Sequence, residues 1–520
     1  MQPLVKLYNI KATPPSLADN TGDVDRLKKA LSVFFKGQLP LLPFSRIAPV
    51  AEAFRKSGFR GAAVVVNFPS CPQLVDFLPQ APEYLVGMAL DLGTTHLEAS
   101  LVDLLSGRTL ARAALENGQL EFGADILTRI HFAATKAGPG KGLDLLQARV
   151  LDSIRQLASE LAGRLSLNMA DIMALCVSGN TSMIHFFLKQ NPFHLCREPY
   201  IPVVNSPDPF PAGELELGLH PGAIVWVMPS IGSYFGGDLI SGILASGLDQ
   251  QEKTCMLIDV GTNAEVVVGN EEWLIACAGA AGPALEGGVA RMGMRAGPGA
   301  IEHCSIDPET GEITYQTIGN EPARGICGSG VIDLVAGLYL ARIIDIRGKF
   351  RTKQPQAADR IVEQDDGFAY VVVKAESAHE GRPILLSQVD IDALMRSKAA
   401  MYSILTTITN QVGVAFQDLH QIYVAGAFGK HISPRQAIVL GMLPDLPLDI
   451  YSPLGNSSLA GAELVLLDDA VRERCRKVVA RITYVELNVN QEFMIRFSGS
   501  RFIPHTDHTL FPSVPFHGES

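Results

Sequence analysis

Twice along this chain a short apolar strand ends in Asp-x-Gly-Thr or its near copy, and twice a hairpin follows. The first copy runs from Val86 to Asp91 and continues as Leu92-Gly93-Thr94-Thr95; strands are expected from Leu97 to Asp103 and from Arg108 to Leu115, around the turn Leu105-Ser106-Gly107. The second runs from Cys255 to Asp259 and continues as Val260-Gly261-Thr262-Asn263; Glu265 to Gly269, the turn Asn270-Glu271-Glu272 and Trp273 to Cys277 follow it. Glycine lets a backbone approach phosphate oxygens and tolerates positive φ, while turn N–H groups and hydroxyls can cradle them. A carboxylate at the strand end suits Mg²⁺ held through water. One such motif also describes a plain β-turn. Two in the same setting are far more specific, and they imply an internal duplication. The expectation is a lobe over residues 86–250, a second over 251–520, and two phosphate loops that face each other across a cleft. Asp91 and Asp259 are the candidate metal and catalytic residues, and Gly93, Thr94, Thr95, Gly261, Thr262 and Asn263 the candidate nucleotide contacts.

Three further glycine-rich stretches fit the same site. Val424-Ala425-Gly426-Ala427-Phe428-Gly429 reads as a strand entering a turn on which adenine and ribose could lie, with Gly426 and Gly429 as contacts. Ile326-Cys327-Gly328-Ser329-Gly330 reads as the entry to a helix from Val331 to Ala341, where Gly328, Ser329 and Gly330 would offer N–H groups to an anion. Ala278 to Gly288 reads as a loop lining the cleft. Elsewhere, Asp144 to Leu165 places Leu145, Leu151, Ile154, Leu157 and Leu161 on a helical stripe. Ser387-Gln388-Val389-Asp390 is a capping box for a helix reaching about Val414. Residues 1–85 read as a separate small α/β domain: a helix from Asp23 to Phe35 with Val24, Leu27, Leu31 and Phe34 inward, a helix from Ile47 to Ser57, and a strand from Gly61 to Asn67. Arg351 to Asp366 reads as an exposed insertion, and the tail after Pro504 as irregular. Strands and helices mixed in this way mean α/β architecture with covered sheets.

At 520 residues the chain is too long for one core. A net charge of −11 argues against a general nucleic-acid binder, which needs a basic face. No stretch approaches the ~18 consecutive apolar residues of a membrane helix, and Met1 to Lys11 has no export-signal pattern, so a cytoplasmic protein is expected. The eight cysteines, Cys71, Cys176, Cys196, Cys255, Cys277, Cys304, Cys327 and Cys475, form no C-x-x-C pair, and they read as reduced, mostly buried thiols. No iron–sulfur cluster is expected in this chain.

The order of these motifs resembles the superfamily of acetate and sugar kinases, heat-shock chaperone ATPases and actin. That resemblance implies two ribonuclease H-like lobes of the actin-like ATPase fold, binding ATP and Mg²⁺, beside the small N-terminal domain. The segment from Gly237 to Asp249 is similar to the first connecting helix of the chaperone ATPases, whose acid orients the attacking water; the match carries that role onto Asp238, which as an isolated residue also reads as an N-cap. A nearer resemblance is to the reductive activators of corrinoid proteins. It rests on Asp91 to Thr95, Val177-Ser178-Gly179-Asn180-Thr181-Ser182-Met183, Asp259 to Asn263, Gly293-Met294-Arg295-Ala296, Gly325 to Gly330, Phe502-Ile503-Pro504-His505 and the opening Pro14 to Asn20. In that family ATP-dependent docking lets a low-potential electron return a Co(II) corrinoid to Co(I). The resemblance implies a corrinoid-protein partner and a homodimer. Family members carry an iron–sulfur domain, and this chain shows no matching cysteine cluster; the leading expectation is a separate electron-donor protein, the alternatives a different task or a removed domain. Two other readings share the fold: a small-molecule kinase with Asp238 as general base, and a nucleotide-switched scaffold.

Overall fold

The computed structural model describes residues 1–68, 71–135, 140–261, 263–280, 292–294, 296–357, 359–365, 367–487 and 491–517. They divide into two compact units, residues 1–245 with 457–480 and residues 246–456 with 481–520.

The first unit opens with a three-stranded antiparallel sheet. Strand β1 (Val5–Lys11), not anticipated from sequence, pairs with β2 (Arg60–Val66), which pairs with β3 (Gln73–Leu78). Helices α1 (Asp23–Ser32) and α2 (Ile47–Lys56) bury Leu27, Leu31, Val50 and Phe54 in the same cluster as Val65 and Phe77. Phe34 departs from the expected stripe and is 52% exposed. The reason is a change of pitch: residues Val33–Phe35 tighten into a 3₁₀ turn, which rotates the following side chains off the α-helical face.

Next come β4 (Val86–Leu92), β5 (His96–Asp103) and β6 (Thr109–Glu116), an antiparallel meander. Helices α3 (Ile126–Thr135) and α4 (Lys141–Arg164) precede β7 (Ile172–Gly179), which lies parallel to β4. After α5 (Thr181–Phe187), β8 (Phe210–Pro211) and β9 (Ile224–Val227) finish a sheet of order β6-β5-β4-β7-β9-β8, and α6 (Gly237–Ser246) follows. The α4 stripe is shifted from the expected one. Leu146, Val150, Ile154, Leu157 and Leu161 are buried, whereas Leu145 is 44% exposed. At about 100° per residue, position 145 falls half a turn away from position 154.

The second unit repeats the plan. Strands β10 (Cys255–Val260), β11 (Asn263–Gly269) and β12 (Leu274–Ala280) form the meander, with Asn263 already in the ladder opposite Ala280. A three-stranded sheet of β13 (Ala300–Ile306), β14 (Ile313–Thr317) and β15 (Gly325–Ile326) leads into α7 (Gly328–Leu340). A second small sheet, β16 (Ile361–Gln364), β17 (Gly367–Val373) and β18 (Ile384–Ser387), leads into α8 (Gln388–Gln411). The Ser387 hydroxyl accepts from Asp390 N while Asp390 accepts from Ser387 N, which closes the expected capping box. Strand β16 sits inside the stretch read as an insertion, and its side chains are exposed or half-buried. Strand β19 (Gln421–Ala425) runs parallel to β10, α9 (Gly426–His431) and α10 (Pro434–Leu440) follow, and β20 (Tyr451–Gly455) runs parallel to β19.

The chain then returns to the first unit as α11 (Ser457–Leu467) and α12 (Asp469–Arg481), whose last residue already belongs to the second unit. There β21 (Ile482–Val485) pairs with β12, completing the order β20-β19-β10-β11-β12-β21, and α13 (Gln491–Gly499) packs on α8. The tail is irregular, as expected, yet not loose: Ile503, Phe511 and Val514 are buried in the unit's core. In both large sheets the meander's first strand pairs on its other side with a parallel strand, and that with another. This shared order is the internal duplication, and it is the mixed α/β, actin-like architecture.

Candidate functional site

Side chains alternate along β4, and this alternation aims Asp91. Met88, Leu90 and Leu92 face the core that α4 covers, while Gly87 turns toward Leu466 of α11. Asp91 has the same parity as Gly87 and meets the same helix: Ser458 Oγ donates to Asp91 Oδ1 at 2.7 Å. Ser458 is also 2.9 Å from Ser178 Oγ, which stands opposite Asp91 on β7, and Ser178 is 2.8 Å from Ser241 Oγ of α6. A hydroxyl has one proton and a carboxylate oxygen accepts. Ser458 therefore gives its proton to Asp91, Ser178 donates to Ser458, and Ser241 donates to Ser178. All three serines are buried. Gly461 makes this approach possible, because a Cβ there would stand 2.4 Å from Ser241 Cα.

The loop after Asp91 is held from behind. Asn117 Nδ2 donates to Gly93 O at 2.9 Å, Arg129 Nη2 to Thr94 O at 2.7 Å, and Asn117 N to Thr95 O at 2.8 Å. In a trans peptide the C=O and the following N–H point in opposite directions. Anchoring the Gly93 and Thr94 carbonyls thus turns the Thr94 and Thr95 N–H groups the other way, as a phosphate cradle requires. Asn180 caps α5 through its Oδ1 and donates from Nδ2 to Thr94 Oγ1 at 3.0 Å.

Asp238 lies in the first turn of α6, where its Oδ1 accepts from Leu239 N at 2.9 Å. A Cβ on Gly236 would meet both Asn180 Cα and Asp238 Oδ1 at 2.4 Å, so Asp238 is packed beside Asn180. The first unit therefore gathers Asp91, Thr94, Asn180 and Asp238 at one end of its sheet. The donors are carboxylates and hydroxyl or amide oxygens, a hard set that fits Mg²⁺ retaining water. Ser178, Ser241, Ser458, Asn117 and Arg129 were not singled out for this site from sequence. Ser178 carried the one readable signal, a polar residue within a strand that is buried throughout.

In the second unit Asp259 is the penultimate residue of β10, opposite Ala425 on β19. Gly426 begins α9 with φ +75°, and a Cβ there would stand 2.8 Å from Asp259 Oδ1. A Cβ on Gly429 would stand 2.0 Å from Val424 O. Both glycines are dictated by close approach, and Gly426 also by its left-handed backbone. A cavity of about 230 Å³ lies against Gly429, walled by Val424, Ile432, Tyr451 and Pro453, an apolar lining of the kind a purine ring takes. Gly261 N donates to Asn263 O at 2.8 Å, closing the turn after Asp259. Thr262, Arg295 and residues 281–291, which include most of the expected Ala278–Gly288 loop, lie outside the described residues.

The glycine entry at residues 328–330 differs from its expected form. Helix α7 starts at Gly328, so these residues are its first turn, and all three are buried. Ser329 Oγ donates to Glu302 O at 2.8 Å, and Gly330 packs where a Cβ would be 2.3 Å from Ile301 O. Among the described residues no group of three His, Cys, Asp or Glu side chains is placed to hold a metal ion directly. Burial pushes the Cys255 thiol up to about 11 and the Cys277 and Cys304 thiols well above the usual thiol range, so these side chains stay protonated. Among the described residues no helix is long and apolar enough to cross a membrane.

Comparison with known proteins agrees along the whole chain. The family model described as the C-terminal domain of RACo, the ASKHA domain, matches residues 253–515. The RACo middle region matches residues 86–251, and the RACo linker region residues 1–83. The corrinoid activation enzyme RamQ of Eubacterium limosum is 30% identical over 499 residues, 95% of this chain and 82% of that protein. The [Co(II) methylated amine-specific corrinoid protein] reductase of Methanosarcina barkeri is 27% identical, over 76% of this chain and 73% of that protein. The solved structure of a reductive activator for a corrinoid, iron–sulfur protein is 36% identical and superposes with a TM-score of 0.89, covering 99% of this chain and 81% of that one.

Proposed function

The chain belongs to the RACo family of corrinoid activators, and from that premise we propose that it binds and hydrolyses ATP in the cytoplasm to drive reductive reactivation of a corrinoid protein, with electrons from a separate donor protein. The gathering of Asp91, Thr94, Asn180 and Asp238 carries the ATPase part of this reading.

In this reading the Thr94 and Thr95 N–H groups and the Thr94 hydroxyl bind phosphate oxygens, with Gly93 allowing the approach. Asp91 and Asp259 are the residues that would hold Mg²⁺ through water, and such an ion would supply positive charge against the phosphates. Asp238 orients the attacking water. Gly261, Thr262 and Asn263 are assigned to phosphate as well, as are the α7 N-terminal residues Gly328, Ser329 and Gly330. Gly426 and Gly429 are assigned to adenosine. One electron passes from the donor protein to Co(II), giving Co(I), and ATP binding and hydrolysis set when the corrinoid protein is held and released. A homodimer is the assembly we assign.

The test is ATP turnover by the purified chain, alone, with sugars or carboxylic acids, and with a Co(II) corrinoid protein plus an artificial reductant. Acceleration by the corrinoid protein, with Co(I) appearing in its visible spectrum, is expected. Acceleration by a small hydroxyl or carboxyl compound, with its phosphorylation, would replace this reading with a kinase. Stoichiometric iron and sulfide in an anaerobic preparation would overturn the separate-donor part alone.

A further inference from the structure

Arg129 is wholly buried and lies directly behind the phosphate loop. Among the described residues its four hydrogen-bond partners are all neutral acceptors: Thr94 O at 2.7 Å, Gly123 O at 2.9 Å, Gln119 Oε1 at 3.3 Å and Met183 Sδ at 3.4 Å. Among the described residues it makes no ion pair. The carboxylate that most influences it, Asp125, is exposed and capped onto Thr128 N and Oγ1, each at 2.8 Å.

A buried charge without a counter-charge is costly, and proteins ordinarily pair it. Other buried cations of this chain follow that rule or escape it. Arg26 has Asp19 at 2.5 Å, Arg46 has Asp76 at 2.7 Å, and Arg472 has Asp469 at 3.4 Å. Among the described residues Lys398 has only the carbonyls of Phe502 and Pro504, but burial lowers its amine well below the usual lysine range, so it can shed its proton. A guanidinium has no such escape. Burial brings Arg129 down only to about 10, which leaves it charged at neutral pH. Tying back a carbonyl needs no charge either, since Asn117 does the same for Gly93 with a neutral amide.

We propose that Arg129 is an electrostatic part of the nucleotide site, its buried charge compensated by the triphosphate that the Gly93-Thr94-Thr95 loop holds in front of it. This rests on the assignment of that loop to ATP phosphates. The guanidinium acts through the Thr94 peptide: it polarises the carbonyl it anchors, sets the direction of the Thr95 N–H, and adds a positive potential that a polyphosphate feels more than a nucleoside does. Arg129 is thus a positioning and specificity residue that favours ligands by their phosphate charge.

The experiment compares Arg129→Met, which keeps length and apolar packing, and Arg129→Lys, which keeps the charge, with the unaltered chain. Affinities for MgATP, MgADP and adenosine are measured by calorimetry at pH 7, and thermal unfolding is followed without nucleotide. The expected result is a graded loss in Arg129→Met: on the order of a hundredfold for ATP, about tenfold for ADP and under twofold for adenosine. Its unfolding midpoint without nucleotide should equal or exceed that of the unaltered chain, and Arg129→Lys should recover most of the ATP affinity. A uniform loss for all three ligands with a lowered midpoint would make Arg129 a mere loop support and overturn the proposal. Equal ATP affinity in Arg129→Met and the unaltered chain would overturn it while leaving the ATP site intact. Failure of the unaltered, folded chain to bind ATP would instead sink the nucleotide reading itself.

Discussion

Replacing Ser458 with alanine removes the hydroxyl that donates to Asp91 Oδ1 at 2.7 Å. A hydrogen bond to a charged group contributes about 1.5–3 kcal/mol. Little else is lost. Ser178, deprived of its acceptor, still has Ser241 Oγ at 2.8 Å, and the void is one oxygen atom. At ~1.4 kcal/mol per factor of ten, full expression of that loss in the barrier would slow turnover about 10- to 150-fold. The bond exists before the reaction as well, so only the part that keeps Asp91 aimed should appear in the rate, and we expect a fall near the lower end, about tenfold. The assay is ATP turnover titrated with Mg²⁺ in a double-mutant cycle. In an Asp91→Asn background, where the carboxylate is gone, Ser458→Ala should change residual turnover by less than about twofold. An equal fall in both backgrounds would show that Ser458 does not act through Asp91. Unchanged turnover in the single variant would show that the serine chain does not matter to the site.

Asp238→Ala should bind ATP about as well as the unaltered chain, hydrolyse it more than ~tenfold more slowly, and hold a corrinoid protein longer; normal hydrolysis would remove Asp238 from the mechanism. Gly426→Ala forces a side chain into a left-handed residue 2.8 Å from Asp259 Oδ1, so a stability loss of about 1–2 kcal/mol together with weakened ATP binding is expected; calorimetric affinity equal to that of the unaltered chain would refute the adenosine assignment at this turn. His505 accepts from Asp507 N at 3.0 Å through Nδ1, and burial lowers its protonation point from 6.5 to about 4. Between those values the unfolded chain binds a proton that the folded one does not, so this stabilisation is complete above pH 6.5 and is lost as pH falls toward 4. The thermal midpoint should therefore drop less between pH 7 and pH 5 in His505→Asn than in the unaltered chain, and equal drops would refute the buried neutral imidazole.

Local chemistry made part of this protein legible in its residues. The strands that carry Asp91 and Asp259 next to their last residue announce themselves by an apolar run closed by glycine. The α8 capping box is a contact between residues three apart. The two lobes follow from finding one strand–turn–hairpin unit twice, since the turn's backbone demands reappear wherever the same turn is built. Phase was less secure. Leu145 and Phe34 were placed inward because periodicity tolerates a shift of one residue, whereas packing against a neighbouring sheet does not. What Asp91 touches could not be read at all. Its serine lies 367 positions away on α11, brought to β4 only because the chain leaves the first unit after α6 and returns to it at Ser457. Arg129 was silent for the same reason. A lone arginine in a helix reads as a solvated charge until the fold closes over it, and only then does its lack of a carboxylate partner among the described residues become an electrostatic fact.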